Sequence, residues 1–493
     1  MTQDKRIEQS DPTPLLEVKD FSLTFRHYGK GLHETELEAI SKLDLTIHQG
    51  EIVAVLGASG SGKSLLANAI LGVLPENAIT KGTLNYKGKA LSREKQIALR
   101  GKQISLIPQS VNALDPLMKT GKQVQAVIKG KNKQAIQQAI FQKVGLPEST
   151  GDRYPFELSG GMARRVLAAT AMVSGANLVI ADEPTPGLDP IALHDTIKHM
   201  KQLAADGKGI MFITHDIEVA LQLADKIAVF YAGQTIEIAH ADDFSGKGEN
   251  LRHPYTKALW NALPKNDFMA LPKPIAMDVE KSDKLKPDKS GAFMLEAKGI
   301  SYHYPNNPWL FKNLNLSIKP GEIVGVFGYS GSGKSTMAQI IAGYRMPVEG
   351  KIIIDDKVIS PRGRHPVQMV WQHPEKAINP RWRMKQTLQE AGPLDGDLLS
   401  TLGIKTEWLD RWPSELSGGE LQRFCLARAL MGDIKYLVAD EMTTMLDAVT
   451  QAQIWHSLIK LAKKRNIGVL AISHDHQLLQ RVCDRIIDFT EIR

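Results

Sequence analysis

Two stretches of this sequence carry the residue types and spacing that bind phosphate. Gly57-Ala58-Ser59-Gly60-Ser61-Gly62-Lys63-Ser64 and Gly328-Tyr329-Ser330-Gly331-Ser332-Gly333-Lys334-Ser335 both read G-x-x-x-x-G-K-S. Gly57, Gly60, Gly62, Gly328, Gly331 and Gly333 let backbone wrap round phosphate oxygens, with Ser59 and Ser330 inside the wrap. Each stretch follows an apolar run and opens a helical pattern, so a helix N-terminus adds unpaired N–H groups and a favourable dipole. Lys63 and Lys334 are expected to neutralise the outer phosphates of a nucleoside triphosphate, and Ser64 and Ser335 to bind Mg2+. A glycine-rich turn with a solvated lysine could imitate this once, but hardly twice in matched surroundings.

Acidic pairs follow at similar distances. Asp182-Glu183 and Asp440-Glu441 each end an apolar run. A carboxylate there can hold Mg2+ and a second can polarise an attacking water, so Asp182 and Asp440 are expected at the metal and Glu183 and Glu441 as general bases. Alone, such a pair is often only a turn or a helix cap. His215 and His474 sit just past further apolar runs, where a neutral imidazole could touch the terminal phosphate. Gln109 and Gln372, in LIPQS and MVWQH, are expected to sense the metal and the same phosphate.

The elements that must hold these residues come in two copies. EIVAVLGASGSGKSLLANAILG returns as EIVGVFGYSGSGKSTMAQIIAG, ELSGGMARRVLAATAM as ELSGGELQRFCLARAL, NLVIADEPTPGLD as KYLVADEMTTMLD, and GIMFITHD as GVLAISHD. A duplicated domain of this size is not a solenoid. Short Val/Ile/Leu-rich runs alternate with helical patterns, and the polar residues stand where the runs end. That is the arrangement of an α/β fold with a largely parallel core, in which ligands gather at the carboxyl ends of strands. The expected domains are 1–264 and 294–493. The Pro-, Lys- and Asp-rich stretch 265–293 has no sustained period and is expected as a linker.

Composition sets outer limits. The chain has 493 residues, 43% hydrophobic and 23% charged, with a formal charge of +7 and a pI of about 9.0. The positive charge is spread rather than blocked, so no nucleic-acid partner is expected. The two cysteines, Cys425 and Cys483, cannot build a disulfide framework or a metal cluster and are expected as buried or incidental thiols. The polar N-terminal segment lacks a signal-peptide core, and no run of about 18 apolar residues occurs, so transport would need a pore from other chains.

With LSGG at Leu158–Gly161 and Leu416–Gly419, and Asp189 and Asp447 following the acidic pairs, the chain resembles the ATP-binding-cassette ATPases over nearly its whole length. The resemblance implies ATP and Mg2+ as ligands, and a helical signature subdomain in each copy. It implies a head-to-tail pairing in which ATP lies between one copy's phosphate loop and the other's signature: Ser159, Gly160 and Gly161, or Ser417, Gly418 and Gly419. Phe25 and Tyr304, in LLEVKDFSLTF and MLEAKGISYHY, would stack on adenine, with Tyr302 competing for the second place. Both composite sites keep their residues, so both are expected to hydrolyse ATP. His253-Pro254-Tyr255-Thr256, NALDP (112–116) and INPRW (378–382) are similar to segments of peptide/nickel-type importers. That branch implies two transmembrane permease subunits, an extracellular solute-binding protein and a place at the cytoplasmic face of the membrane. Peptide and nickel or metal chelate remain alternatives for the solute, with WQHPEKAINPRWRM pointing to nickel. Many members of that branch carry a cysteine cluster directly after the HPYT segment; here no cysteine stands between it and the second copy, so no iron–sulfur centre is expected. A ribosome-associated twin-cassette ATPase, or an exporter motor, would share the same chemistry.

Overall fold

The computed structural model describes residues 13–28, 34–58, 60–186, 188, 190–268, 294–329, 331–358 and 365–492. They fall into two compact units, Met1–Lys257 and Ala258–Arg493.

Each unit pairs a parallel-cored sheet with an antiparallel one. In the first unit the large sheet runs Gln234–His240, Lys226–Tyr231, Ile52–Gly57, Gly209–Thr214, Leu178–Asp182, Ile104–Ile107. Only the Gln234–His240 edge pairs antiparallel; the other ladders are parallel. Parallel strands covered on both faces need continuous apolar runs, and Ile52–Gly57 and Gly209–Thr214 are buried at every position. The antiparallel sheet takes Leu16–Tyr28 between Glu34–Ile47 and Ala78–Tyr86. Leu16, Val18, Ile40 and Leu43 from this sheet join Val53, Val55, Met211 and Ile213 from the other, with Leu66 and Ile70 of the helix Lys63–Leu71, in one core.

The second unit repeats the plan. Its parallel sheet orders Val367–Val370, Tyr436–Asp440, Gly468–Ser473, Ile323–Phe327 and Arg485–Asp488. Both phosphate-loop strands are tied at their starts by matched aspartates: Ile52 N donates to Asp225 Oδ2, and Ile323 N to Asp484 Oδ2, each at 2.8 Å.

The two cysteines are packing residues. Cys425 lies in the helix Gly418–Leu430 and Cys483 directly after the helix His476–Val482, and burial pushes both thiols up to about 12. Of the expected linker, residues 269–293 lie outside the described residues. Its first four residues are ordered within the second unit: Phe268 is 4% exposed and sits 5.3 Å from the His456 ring.

Candidate functional site

Strand order does the gathering. Moving across the first unit's sheet, the carboxyl ends of four neighbouring strands present the phosphate loop after Ile52–Gly57, His215 after Gly209–Thr214, Asp182-Glu183 at the end of Leu178–Asp182, and Gln109 after Ile104–Ile107. In the second unit the same order brings the loop after Ile323–Phe327, then His474, Asp440-Glu441 and Gln372. Residues over a hundred positions apart therefore meet along one sheet edge.

The phosphate loops curl round their lysines. Lys63 Nζ donates to the carbonyls of Gly57 and Ala58, each at 2.8 Å, and Lys334 Nζ to those of Gly328 and Tyr329, each at 2.7 Å. Both ammonium groups are thus aimed into the concavity, and burial lowers the pKa of Lys334. Gly62 and Gly333 precede the helices with φ of 97° and 109°. A Cβ there would come within 2.8 Å of Ile40 and 2.9 Å of Leu310, so only glycine allows the turn and the close packing together. Gly60 and Gly331 share the positive φ. Ser59 and Ser330 lie outside the described residues, as does Asp189.

Next to each lysine stands a hydroxyl–carboxylate pair. Ser64 Oγ donates to Asp182 Oδ1 at 3.1 Å, and Ser335 Oγ to Asp440 Oδ1 at 3.2 Å. Burial raises both carboxyls, Asp440 to about 6, against the pull of the serine and the lysine. Oxygen donors of this kind, with a carboxyl short of positive charge, fit a hard divalent cation.

The glutamates are held differently. Gln109 Nε2 donates to Glu183 Oε2 at 2.9 Å and His215 Nδ1 lies 3.3 Å from Oε1. Gln372 Nε2 donates to Glu441 Oε2 at 3.0 Å, with His474 Nδ1 3.4 Å from Oε1. Burial works to raise Glu183, yet the hydrogen bond and charge of His215 prevail and hold it below the usual value; Glu441 behaves likewise beside His474. Burial in turn depresses His215, but Glu183 lifts it above its ordinary value, and the bond to Glu441 lifts His474. Neighbouring carboxyls pushed in opposite directions are suited to separate roles. The sites are not identical: His215 is 10% exposed and His474 51%.

Sequence reasoning missed one feature of these glutamates. Glu183 and Glu441 have φ of 45° and 47°, in the left-handed region that disfavours branched or long side chains. Their N–H groups donate to Ile213 and Ile472, which holds the strained turn. Such strain concentrates at working sites. No residue-type signal announces it, since glycine and asparagine are the usual occupants. The aspartates Asp225 and Asp484 were also missed, although their recurrence before KIAVF and RIIDF was a usable signal.

The signature serines cap helices. Ser159 precedes Gly160–Val173 and accepts from Met162 N, while Ser417 precedes Gly418–Leu430 and accepts from Glu420 N, both at 3.3 Å. Only the second closes a reciprocal box, with Ser417 N donating to Glu420 Oε2 at 2.8 Å. Gly160 and Gly161 border open space, and Gly419 packs under Thr450. Asp447 caps the helix Ala448–Arg465 through Thr450 N at 3.0 Å. Phe25 sits in the strand Leu16–Tyr28, opposite Ala78 and packed on the core; Tyr304 follows the strand Leu295–His303. Tyr302 is 9% exposed and Tyr304 36%, so Tyr304 has the accessible ring.

A family model described as ABC transporter matches residues 40–186 and 311–444. The chain belongs to the ABC transporter family. As an ABC ATPase with two cassettes it is similar, at 31% identity over 510 residues, to the uncharacterized ABC transporter ATP-binding protein YejF of Escherichia coli K12, covering 96% of this chain and 93% of that one. It is 29% identical over 538 residues to the glutathione import ATP-binding protein GsiA of Salmonella paratyphi A, covering 97% and 85%. The crystal structure of archaeal ribosome recycling factor aABCE1 with stalk protein aP1 superposes with a TM-score of 0.60 at 22% identity, over 94% of this chain and 87% of that one. That likeness is one of fold. No helix among the described residues is long and apolar enough to cross a membrane.

Proposed function

We propose that this ABC ATPase powers import of a small peptide-class solute through two separate transmembrane permease subunits, from the cytoplasmic face of the membrane. An extracellular solute-binding protein would deliver the cargo. The observation that carries the ATPase half is the double occurrence of one constellation: lysine, serine–aspartate pair, and glutamate between glutamine and histidine, each within hydrogen-bond reach. The likeness to a glutathione import ATP-binding protein, which spans 97% of this chain, supports import and favours peptide over nickel as solute.

In the proposed mechanism Lys63 and Lys334 meet the outer phosphates at a helix N-terminus. Ser64 with Asp182, and Ser335 with Asp440, would hold Mg2+, which lowers the charge repelling a nucleophile. Glu183 and Glu441, kept ionised by their histidines, accept the proton of an attacking water. Gln109 and Gln372 orient those carboxylates through their second oxygens. Phe25 and Tyr304 would carry the adenine. Ser159 with Gly160 and Gly161, and Ser417 with Gly418 and Gly419, would close over the terminal phosphate of the opposite copy. Nucleotide then favours the closed state and its cleavage releases it.

The test is affinity isolation of the full chain from detergent-solubilised membranes, followed by ATPase assay of the purified complex. Co-purification of two integral membrane proteins, and stimulation by solute-loaded binding protein with peptide but not with nickel, is the expected result. Recovery of ribosomes instead would refute transport, and stimulation by nickel alone would refute the peptide assignment.

A further inference from the structure

The strand and helix that flank the two base positions differ in chemistry between the copies. In the first, Phe25, Leu65 and Leu74 pack against the core as partly buried apolar side chains, over the buried Leu23. In the second, the matching positions are Tyr304, Thr336, Arg345 and Tyr302. Apolar packing has been replaced by a bonded cluster.

That cluster restrains one ring from several directions. The Tyr304 hydroxyl lies 3.0 Å from Thr336 Oγ1, two residues beyond Lys334 of the phosphate loop. The Arg345 guanidinium stands 5.4 Å from the Tyr304 ring centroid. Arg345 is itself held, with Nη1 donating to the Tyr302 hydroxyl at 3.3 Å and Nε to Gln339 Oε1. Tyr302 meets Tyr304 edge-on, with centroids 5.3 Å apart at 89°. Over a third of Tyr304 nevertheless remains exposed.

We propose that Thr336 and Arg345 are positioning residues that lock Tyr304 as the base platform of the second cassette, making the two ATP sites unequal in how much affinity the base contributes. The inference rests on the stacking role of Tyr304 given above. An aromatic ring already fixed at its hydroxyl and against a cation loses little freedom when a base stacks on it, so more of the stacking free energy survives as affinity. Phe25 has no hydroxyl to anchor, and no cation stands at the matching Leu74. The base should therefore matter more to ATP binding in the second cassette than in the first.

Calorimetric titration of the full chain carrying Lys63→Ala and Glu441→Gln reports binding at the second loop without turnover. ATP and inorganic tripolyphosphate, which lacks the base, are the two probes. Arg345→Leu and Thr336→Val are each expected to weaken ATP binding about threefold to tenfold and to leave tripolyphosphate binding unchanged. Arg345→Lys and Thr336→Ser are expected to restore ATP affinity to within about twofold. Equal weakening of both probes would mark the two residues as merely structural and overturn the proposal. Tyr304→Ala separates the two levels. If it leaves ATP affinity unchanged, the stacking role itself fails. If it weakens ATP selectively while Arg345→Leu and Thr336→Val do nothing, only the positioning role fails.

Discussion

Replacing Glu183 or Glu441 by glutamine, one at a time, probes whether both sites turn over. Each carboxylate accepts from a glutamine at 2.9 or 3.0 Å and faces a histidine at 3.3 or 3.4 Å. Glutamine keeps the shape and an acceptor oxygen but removes a buried charge that faces a histidine, so a loss of about 0.5–3 kcal/mol in stability is expected, and turnover is compared on protein shown to be folded. Loss of a positioned general base lowers the rate at that site about 10²- to 10⁴-fold. Independent sites would then leave about half of the total turnover in each single variant. Sites that must close and open together would leave about 1% or less. Phosphate release at saturating ATP by the purified full chain separates the cases. Either substitution leaving kcat unchanged would refute the assignment of two working sites. A second readout accompanies it: Glu183 is what lifts His215 against the depressing effect of burial. In Glu183→Gln the imidazole titration seen by NMR should move down in pH.

Two further predictions use the duplication as an internal control. A methyl group at Gly325 would lie 2.9 Å from Cys483 Sγ, whereas the first copy holds Ala54 and Ala224 at the matching places. Gly325→Ala should therefore cost about 1–3 kcal/mol, and adding Cys483→Ala should recover most of it, as thermal denaturation will record; purely additive losses would refute the pairing. Met162→Glu should complete in the first signature helix the reciprocal cap that Glu420 makes in the second, adding about 0.5 kcal/mol. Slower amide exchange over residues 160–163 is the expected result, and unchanged exchange would count against it.

Local chemistry was readable from residue order because it is enforced locally. G-x-x-x-x-G-K-S implies strand, turn and helix in succession, and the left-handed glycines Gly62 and Gly333 sit where that turn requires them. Apolar runs long enough only for buried strands announced the parallel core. Repetition then lent each lone residue, His215 or Gln109, the weight of its counterpart. Pairings across the chain were out of reach. Ser64 and Asp182 are 118 residues apart, and only the strand order, with Gly209–Thr214 lying between their two strands, sets the distance they must bridge.

Residue types therefore established which atoms could touch phosphate, metal and water, since those properties belong to side chains wherever they stand. Which carboxyl is pushed up and which held down was decided by folding, because burial and partner charge exist only once the strands are aligned. The same holds for the left-handed turns at Glu183 and Glu441, and for the contrast between an apolar Phe25 setting and a bonded Tyr304 cluster. Such differences arise from packing between segments distant in the chain, which no local pattern encodes.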